Sequence, residues 1–352
     1  MNPDYPEFKA TIKASKYSLL LGPHTWNFYN DSKACSLELF YSKTVTLTAC
    51  SDKEFTCNDG NCVDMEKRCD GKAQCEDESD EDACLVMVFP LGFHKSLTPP
   101  PEVGKTNLVI NVSVTIHEIL EINEVGGEFV IKLTIQRDWF DSRLTYRNIK
   151  EDFHLNVLFP ETRAKLWRPS AVFHNIASED KLRKTDMAEL WSIQFDMNNR
   201  LSYTRDSSQT NNAHMFKGSE HKQMLMTQYT IKFMCDFDMR WYPFDTQACG
   251  MDSYSASAFS VLNAESVNYT GPKELAQYIV KSFKICSKEI GVQAGVSVVF
   301  VLGRPLLSNI LTIFIPTAIL VIISHVSKLF EKDYLDMVVM VSLTVILVQA
   351  QL

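Results

Sequence analysis

The chain has 352 residues, 45% hydrophobic and 22% charged, a composition that excludes a disordered tail and leaves room for two or three domains. Its net charge of −8 resides wholly between Cys50 and Cys84, where twelve Asp/Glu face four Lys/Arg while the other 31 acids and 31 bases cancel. An acidic island in a neutral chain points to a cation site, and without a basic field nucleic acid is no partner.

The first thirty residues contain no basic start followed by an apolar run, so no signal peptide is read there. The expectation is that the true amino terminus lies upstream. Leu19–Trp26 resembles the end of a β-rich, lectin-like domain of pentraxin type, whose missing part would hold the partner of Cys35; His24 is read as structural. Sequons at Asn30, Asn111 and Asn268 all precede the first membrane-like segment, so an extracellular, glycosylated amino-terminal portion is expected.

Six cysteines crowd into residues 50–84, at Cys50, Cys57, Cys62, Cys69, Cys75 and Cys84. That density suits a module too small to build a core, stapled in an oxidising compartment; spacing alone leaves fifteen pairings. The spacing and the closing run Asp77-Glu78-Ser79-Asp80-Glu81 resemble the LDL-receptor class A module over its full length. The resemblance implies the pairs Cys50–Cys62, Cys57–Cys75 and Cys69–Cys84. It also implies a structural calcium, held by the side chains of Asp70, Asp80 and Glu81 and by the carbonyls of Lys67 and Lys72. Gln74 stands where the family usually has another acid, and it brings an oxygen without a charge.

After the linker Thr98-Pro99-Pro100-Pro101 the pattern becomes that of strands. Ile110, Val112, Val114 and Ile116 alternate with Asn111, Ser113 and Thr115, and Phe129, Ile131, Leu133 and Ile135 alternate likewise. Period two places one face in a core and one in water, as in an antiparallel sandwich.

Thirteen residues separate Cys235 from Cys249, with Tyr242, Pro243, Phe244 and Asp245 in the middle. This closely resembles the signature loop of the Cys-loop receptors, the pentameric neurotransmitter-gated channels. Trp139-x-Asp141-x-Arg143-Leu144, Trp167-x-Pro169 and Gly303-Arg304-Pro305 follow in that family's order. Trp139 and Trp167 are read as core aromatics, and Asp141 with Arg143 as a packing ion pair. The fold class implied is mainly β: an antiparallel β-sandwich extracellular ligand-binding domain followed by transmembrane α-helices, with the disulfide-rich calcium module in front. A Cys235–Cys249 disulfide would stiffen a loop with an apolar tip that rests on membrane helices and couples agonist binding to the pore.

No residue from Pro305 to Ser327 is charged, long enough at 1.5 Å per residue to span the hydrocarbon core, and Pro316 is tolerable inside a membrane helix. A second apolar run, residues 331–352, begins after a charged stretch. If it lines the pore, a helical period puts Glu331, Tyr334, Val338, Val341, Val345 and Val348 on one stripe. Glu331-Lys332 resembles the pair of cation-selective members, so cation selectivity is expected. Tyr334 is bulky for an inner pore, and Asp336 falls off the stripe with no role. The domain expectation is therefore 1–49 (lectin-like end), 50–84 (module), 85–304 (sandwich), 305–327 (first span) and 331–352 (partial second span).

The resemblance implies a homo- or hetero-pentamer in the plasma membrane that takes a small-molecule agonist. An acetylcholine-type aromatic box is missing: Ala256 stands after the loop with Tyr254 and Phe259 off register, Thr134 replaces the complementary aromatic, and a vicinal cysteine pair is reduced to Cys286. The alternative is a non-conducting cell-surface recognition receptor using the same sandwich and calcium module. No phosphate loop, zinc-protease motif or nucleophile elbow suggests an enzyme.

Overall fold

The computed structural model describes residues 8–12, 21–30, 38–51, 53–82, 84–177, 183–199, 203–205, 214–290, 293–327 and 335–351. The chain forms two compact units, one of Met1–Leu108, Asp138–Arg168 and Leu190–Leu225, the other of Val109–Arg137, Pro169–Glu189 and Met226–Leu352.

In the first unit, β1 (Phe8–Thr11), β2 (Gly22–Asn30) and β3 (Glu38–Leu47) make a small antiparallel sheet. Phe28 stands opposite Tyr41, and their rings stack at 4.8 Å. The β-rich character expected at the amino-terminal end is present, while Cys35 lies outside the described residues.

The module that follows has one hairpin, β4 (Glu54–Thr56) with β5 (Cys62–Asp64). Its core is only Phe55, Cys57, Met65 and Cys75, with Val63 packed against them. So little apolar surface cannot offset the chain's lost entropy, and three cross-links supply the difference. They pair Cys50–Cys62, Cys57–Cys75 and Cys69–Cys84, with Cα–Cα distances of 5.4, 5.9 and 5.6 Å. The Arg68 guanidinium lies 4.1 Å over the Phe55 ring and closes that core. Gly60 has φ +96°, and a Cβ there would stand 2.8 Å from Gly22 Cα, so the close approach of β2 requires glycine.

The β domain continues with β6 (Met87–Val88), β7 (Leu108–Asn123), β8 (Glu128–Trp139), β9 (Thr145–Arg147), β10 (Ala171–Phe173), β11 (Arg183–Gln194) and β12 (Tyr203–Arg205). It is completed by β13 (His214–Lys217), β14 (Lys222–Met234), β15 (Thr246–Ser255), β16 (Ser260–Tyr269), β17 (Ile279–Ile290) and β18 (Gln293–Gly303), with one short helix, α1 (Pro160–Arg163), between β9 and β10. A five-stranded sheet runs β11-β14-β8-β7-β16, a four-stranded one β10-β15-β18-β17, and a second four-stranded one β12-β13-β9-β6. The alternation read from the sequence is the burial pattern of β7 and β8, where every second residue is buried from Leu108 to Ile116 and from Phe129 to Ile135. On β18, Val296, Val298, Phe300 and Leu302 are buried. Phe129 sits at the junction, edge-on to Phe300 at 4.8 Å and stacked on Phe233 at 5.5 Å.

A second aromatic cluster lies in the first unit. Trp139 contacts Trp167 at 5.9 Å and Trp191 at 5.7 Å, and the Trp191 indole N–H donates to Gln223. Both expected core tryptophans are therefore in place, and Arg143 pairs with buried Asp141 at 2.7 Å.

Past the sandwich, Leu306 to Ser327 is an unbroken helical run: α2 (Leu306–Asn309), a π-turn at Ile310–Phe314, and α3 (Ile315–Ser327). Pro316 has no N–H to give the preceding turn, and a π-turn is one way a helix absorbs that defect. The Thr317 hydroxyl reaches the carbonyl oxygens of Ile313 and Phe314, 2.9 Å each. The last element is α4 (Leu335–Gln351). The expectation of a first span at 305–327 and a partial second at 331–352 is not confirmed at this level: taken singly, no helix among the described residues is long and apolar enough to cross a membrane. The π-turn divides the first run, and the described part of the second has 17 residues.

Phe129 is 1% exposed, so Phe129→Ala should cost about 3–5 kcal/mol of stability, read from denaturant unfolding in detergent. Val125→Ala, at a fully exposed turn position, should stay within about 0.5 kcal/mol.

Candidate functional site

The loop between β14 and β15 is closed by the Cys235–Cys249 disulfide, with Cα atoms 5.4 Å apart. Its base is pinned to the β7–β8 turn, where the Cys235 N–H donates to the Gly127 carbonyl at 2.8 Å. Buried Gln247 organises the interior. Its amide nitrogen donates to the Asp238 carbonyl (2.8 Å) and to the Asp245 carboxylate, and its oxygen accepts the Asp238 N–H (2.9 Å). On the outer side, hydrogen bonds from the Arg240 side chain and backbone hold the Asp238 carboxyl down to about 2. The tip turns tightly through a cis Tyr242–Pro243 peptide, with the Phe244 N–H donating to the Trp241 carbonyl. Trp241 is 74% and Phe244 68% exposed. An apolar tip of that size on a cross-linked loop is surface made to be covered.

The four residues expected to act in coupling divide sharply. Tyr242, Pro243 and Phe244 belong to the tip, but Asp245 turns inward and its side chain is 2% exposed. There it accepts Arg304 Nε at 2.7 Å. Arg304 Nη2 reaches Glu124 Oε1 at 2.8 Å, and Nη2 lies 3.1 Å from the sulfur of Met239. The Tyr278 hydroxyl donates to the same Glu124 oxygen at 2.5 Å. The guanidinium carbon sits 4.6 Å from the Tyr242 ring centre and 4.7 Å from that of Tyr278. Burial pulls the Arg304 pKa down, but the hydrogen bond to Asp245 and the charge of Glu124 more than offset it, and the net shift is upward. Burial first, and then the bond to Glu124, pushes the Tyr278 hydroxyl well above its ordinary value, so it stays a donor.

Strand ends bring these groups together. Glu124 follows β7, Asp245 precedes β15, Tyr278 precedes β17, and Arg304 follows β18, two residues before α2. One cation thus ties the cysteine loop, the β7–β8 turn and the β16–β17 connection to the start of the helical run. Glu124 and Tyr278 were not legible as site residues. Glu124 is one acid in the turn Asn123-Glu124-Val125-Gly126-Gly127, and nothing local marks its partner 180 positions away.

In the acidic module, the Asp80 carboxylate is fully buried and accepts the N–H groups of Gln74 (2.7 Å) and Cys75 (3.2 Å). Glu81 accepts those of Asp70 (2.9 Å) and Gly71 (3.1 Å). Asp70 accepts the Lys72 N–H at 2.9 Å and faces the Gln74 amide nitrogen at 3.3 Å from each oxygen. The Gln74 amide oxygen is buried with no hydrogen-bond partner. A buried orphan oxygen beside carboxylates that keep spare lone pairs is a donor set that fits a hard cation. Asp70, Asp80 and Glu81 do not bring their oxygens within 4.8 Å of one another; among the described residues the three-ligand cluster that meets that distance is Cys57, Cys75 and Asp77. Both its sulfurs are already in a disulfide.

The other expected site residues fall as follows. Glu331 and Tyr334 lie outside the described residues. In α4, which packs on α3, Val345 is buried and Val338 and Val341 are half-buried, while Met337, Val339, Met340 and Leu343 are exposed. Val338, Val341 and Val345 are thus on a covered face of α4 in this chain, while the Val348 side chain lies outside the described residues. Asp336 sits in the first turn of α4, where an acid complements the helix dipole. Asn268 is exposed on β16, Asn111 is half-buried on β7 and accepts Asn263 Nδ2 at 3.0 Å, and the Asn30 side chain is outside the described residues. Thr134 bonds His117 at 2.8 Å, Phe259 is 71% exposed, and Cys286 is an exposed free thiol.

The model of the neurotransmitter-gated ion-channel ligand-binding domain matches residues 89–269, and that of the low-density lipoprotein receptor class A domain matches 48–84. Similar proteins include the mouse gamma-aminobutyric acid receptor subunit theta, 23% identical over 70% of this chain and 36% of its own length. The serotonin-gated chloride channel mod-1 of Caenorhabditis elegans is 22% identical over 66% and 44%. The human gamma-aminobutyric acid receptor subunit gamma-1 is 23% identical over 78% and 57%. The chain spans roughly a third to somewhat over half the length of these relatives. With a family match over half of its residues and the cysteine loop closed at Cys235–Cys249, the chain belongs to the Cys-loop, neurotransmitter-gated ion-channel family and carries an LDL-receptor class A module in front of the ligand-binding domain.

Proposed function

We propose that the protein is a subunit of a pentameric ligand-gated channel in the plasma membrane, in which a small-molecule agonist bound to the extracellular sandwich opens a pore. The observation that carries this reading is the Arg304 clamp. A loop with an exposed apolar tip is joined through Asp245 to the residue that leads into the helical run, so a displacement of the sandwich strands cannot leave Arg304 behind. The uncharged run 306–327 and the apolar α4 are the segments that would lie in the membrane in such an assembly.

The relatives are named for gamma-aminobutyric acid and serotonin, which makes amine-bearing transmitters the first agonists to try. The expected cation preference is not carried forward. It rested on Glu331, and one relative is by name a chloride channel.

The module's place in this reading is structural. Asp70, Asp80 and Glu81, the Gln74 amide oxygen and the main-chain oxygens of Lys67 and Lys72 would hold a calcium ion. The ion would neutralise carboxylates that otherwise repel one another in a segment of net charge −8.

Currents recorded from cells expressing the protein, during application of gamma-aminobutyric acid, serotonin and related amines, test the channel reading. An evoked current supports it; agonist bound at the surface without current would favour the non-conducting recognition receptor instead. The clamp has its own test. Arg304→Gln should cost about 3–5 kcal/mol, because it strands buried Asp245 and partly buried Glu124. Adding Asp245→Asn should then cost less than its effect alone, by about 1 kcal/mol or more. Strict additivity of the two losses would sink the idea of a shared charge site. For the module, calorimetric titration should show calcium binding that Asp70→Asn weakens at least about tenfold.

A further inference from the structure

Lys150 makes an interaction that the coupling reading does not use. Its Nζ donates to two successive main-chain oxygens of the acidic module, Met65 at 3.3 Å and Glu66 at 2.8 Å. Its backbone is held just as firmly on the β domain. Lys150 N–H donates to Asn156 Oδ1 at 2.7 Å, and Asn156 Nδ2 donates to the Lys150 carbonyl at 2.8 Å and to that of Ile193 on β11 at 2.9 Å. Asn156 is 1% exposed. The segment enters from Asn148, which exchanges two hydrogen bonds with the backbone of His214, at 2.9 and 3.0 Å. Lys150 is therefore a strut with both ends fixed. A cavity of about 430 Å³, lined by Met65, Glu66, Leu155, Phe195 and Phe216 among others, opens beside it, so apolar packing does not seal the contact at this point.

The module end of the strut is a single turn. Lys67 N–H closes it on the Asp64 carbonyl at 2.9 Å, and Glu66 N–H donates to the Asp64 side chain at 3.0 Å. Three consecutive carbonyls leave this turn. Those of residues 65 and 66 accept Lys150, and that of residue 67 is the one assigned to calcium. Whatever fixes the turn for one cation fixes it for the other.

We propose that Lys150 is a positioning residue for the module's cation site, and that calcium binding and the docking of the module onto the β domain strengthen each other through the Asp64–Lys67 turn. The inference rests on the calcium reading above. Repulsion between the ammonium and a divalent ion opposes the coupling. The ion would sit within, and the Lys150 ammonium reaches into, a segment of net charge −8, where Glu66, Asp70 and Glu81 attract the lysine, so carboxylates neutralise the pair and the shared turn decides the sign. Coupling of two sites is reciprocal in free energy, so either partner reports on the other.

The test is calcium titration of the full chain in detergent, for wild type, Lys150→Met and Lys150→Arg, with amide hydrogen exchange over residues 148–156. Lys150→Met should bind calcium about fivefold more weakly, and Lys150→Arg, which keeps donors and charge, within about twofold of wild type. Chelating calcium should speed exchange at 148–156 in wild type and add nothing in Lys150→Met. Equal or tighter binding by Lys150→Met, with wild-type binding intact, overturns the coupling and leaves the calcium site standing. No calcium binding by the wild type overturns both.

Discussion

A guanidinium whose side chain is 5% exposed has lost nearly all its water, and no fold keeps it so without anions in fixed positions. Arg304 finds two, Asp245 and Glu124, and the arrangement dictates much of what surrounds it. The carboxylates must arrive from different strand ends, so the cysteine loop and the β7–β8 turn have to meet where β18 gives way to helix. Tyr278 then occupies the remaining side, donating to Glu124 and offering its ring face to the cation. The disulfide adds no charge to this site. It keeps the loop from opening, so that Asp245 stays inside while Trp241 and Phe244 stay outside.

The acidic module obeys a different constraint. Four buried apolar side chains are too few to hold 35 residues together, and twelve acids in that span repel one another. The disulfides solve the first problem. The second is relieved in part by backbone N–H groups, which Asp80 and Glu81 each collect in pairs, and in part by Arg68 and Lys150. What remains is one buried amide oxygen without a hydrogen-bond partner, that of Gln74, in a segment where acids still outnumber bases.

How far the sequence foretold this depends on the range of each interaction. The strands of Leu108–Asn123 and Glu128–Trp139 were legible, because a period of two is written in adjacent residues and burial follows it position by position. Trp139, Trp167 and the Asp141–Arg143 pair were legible by resemblance, as were the module's disulfides. The clamp was half visible. Asp245 and Arg304 stood inside recognisable motifs, but their contact, and the parts of Glu124 and Tyr278 in it, arise from strand order, which no local pattern encodes. Pro316 was read only as tolerable in a membrane helix, and the way it is accommodated, beside a π-turn with the Thr317 hydroxyl on the carbonyls of Ile313 and Phe314, was not legible. Val338, Val341 and Val345 share a covered face of α4, but periodicity says which residues share a face and not what that face meets.

The two cationic struts also show why their residue types are not interchangeable. Arg304 must contact two carboxylates in different directions while its faces lie near two tyrosine rings, and only a flat, delocalised cation with donors around its edge can do both. Lys150 meets neutral carbonyls of successive residues, 3.3 and 2.8 Å away, and a compact ammonium on a long stem fits between them with no plane to orient. An arginine binding anions resists displacement by other cations, since its partners are charged and buried with it. A lysine on carbonyls of an exposed turn depends on that turn keeping its shape. The first is suited to transmitting a displacement, the second to sensing whether a neighbouring cation has fixed the turn.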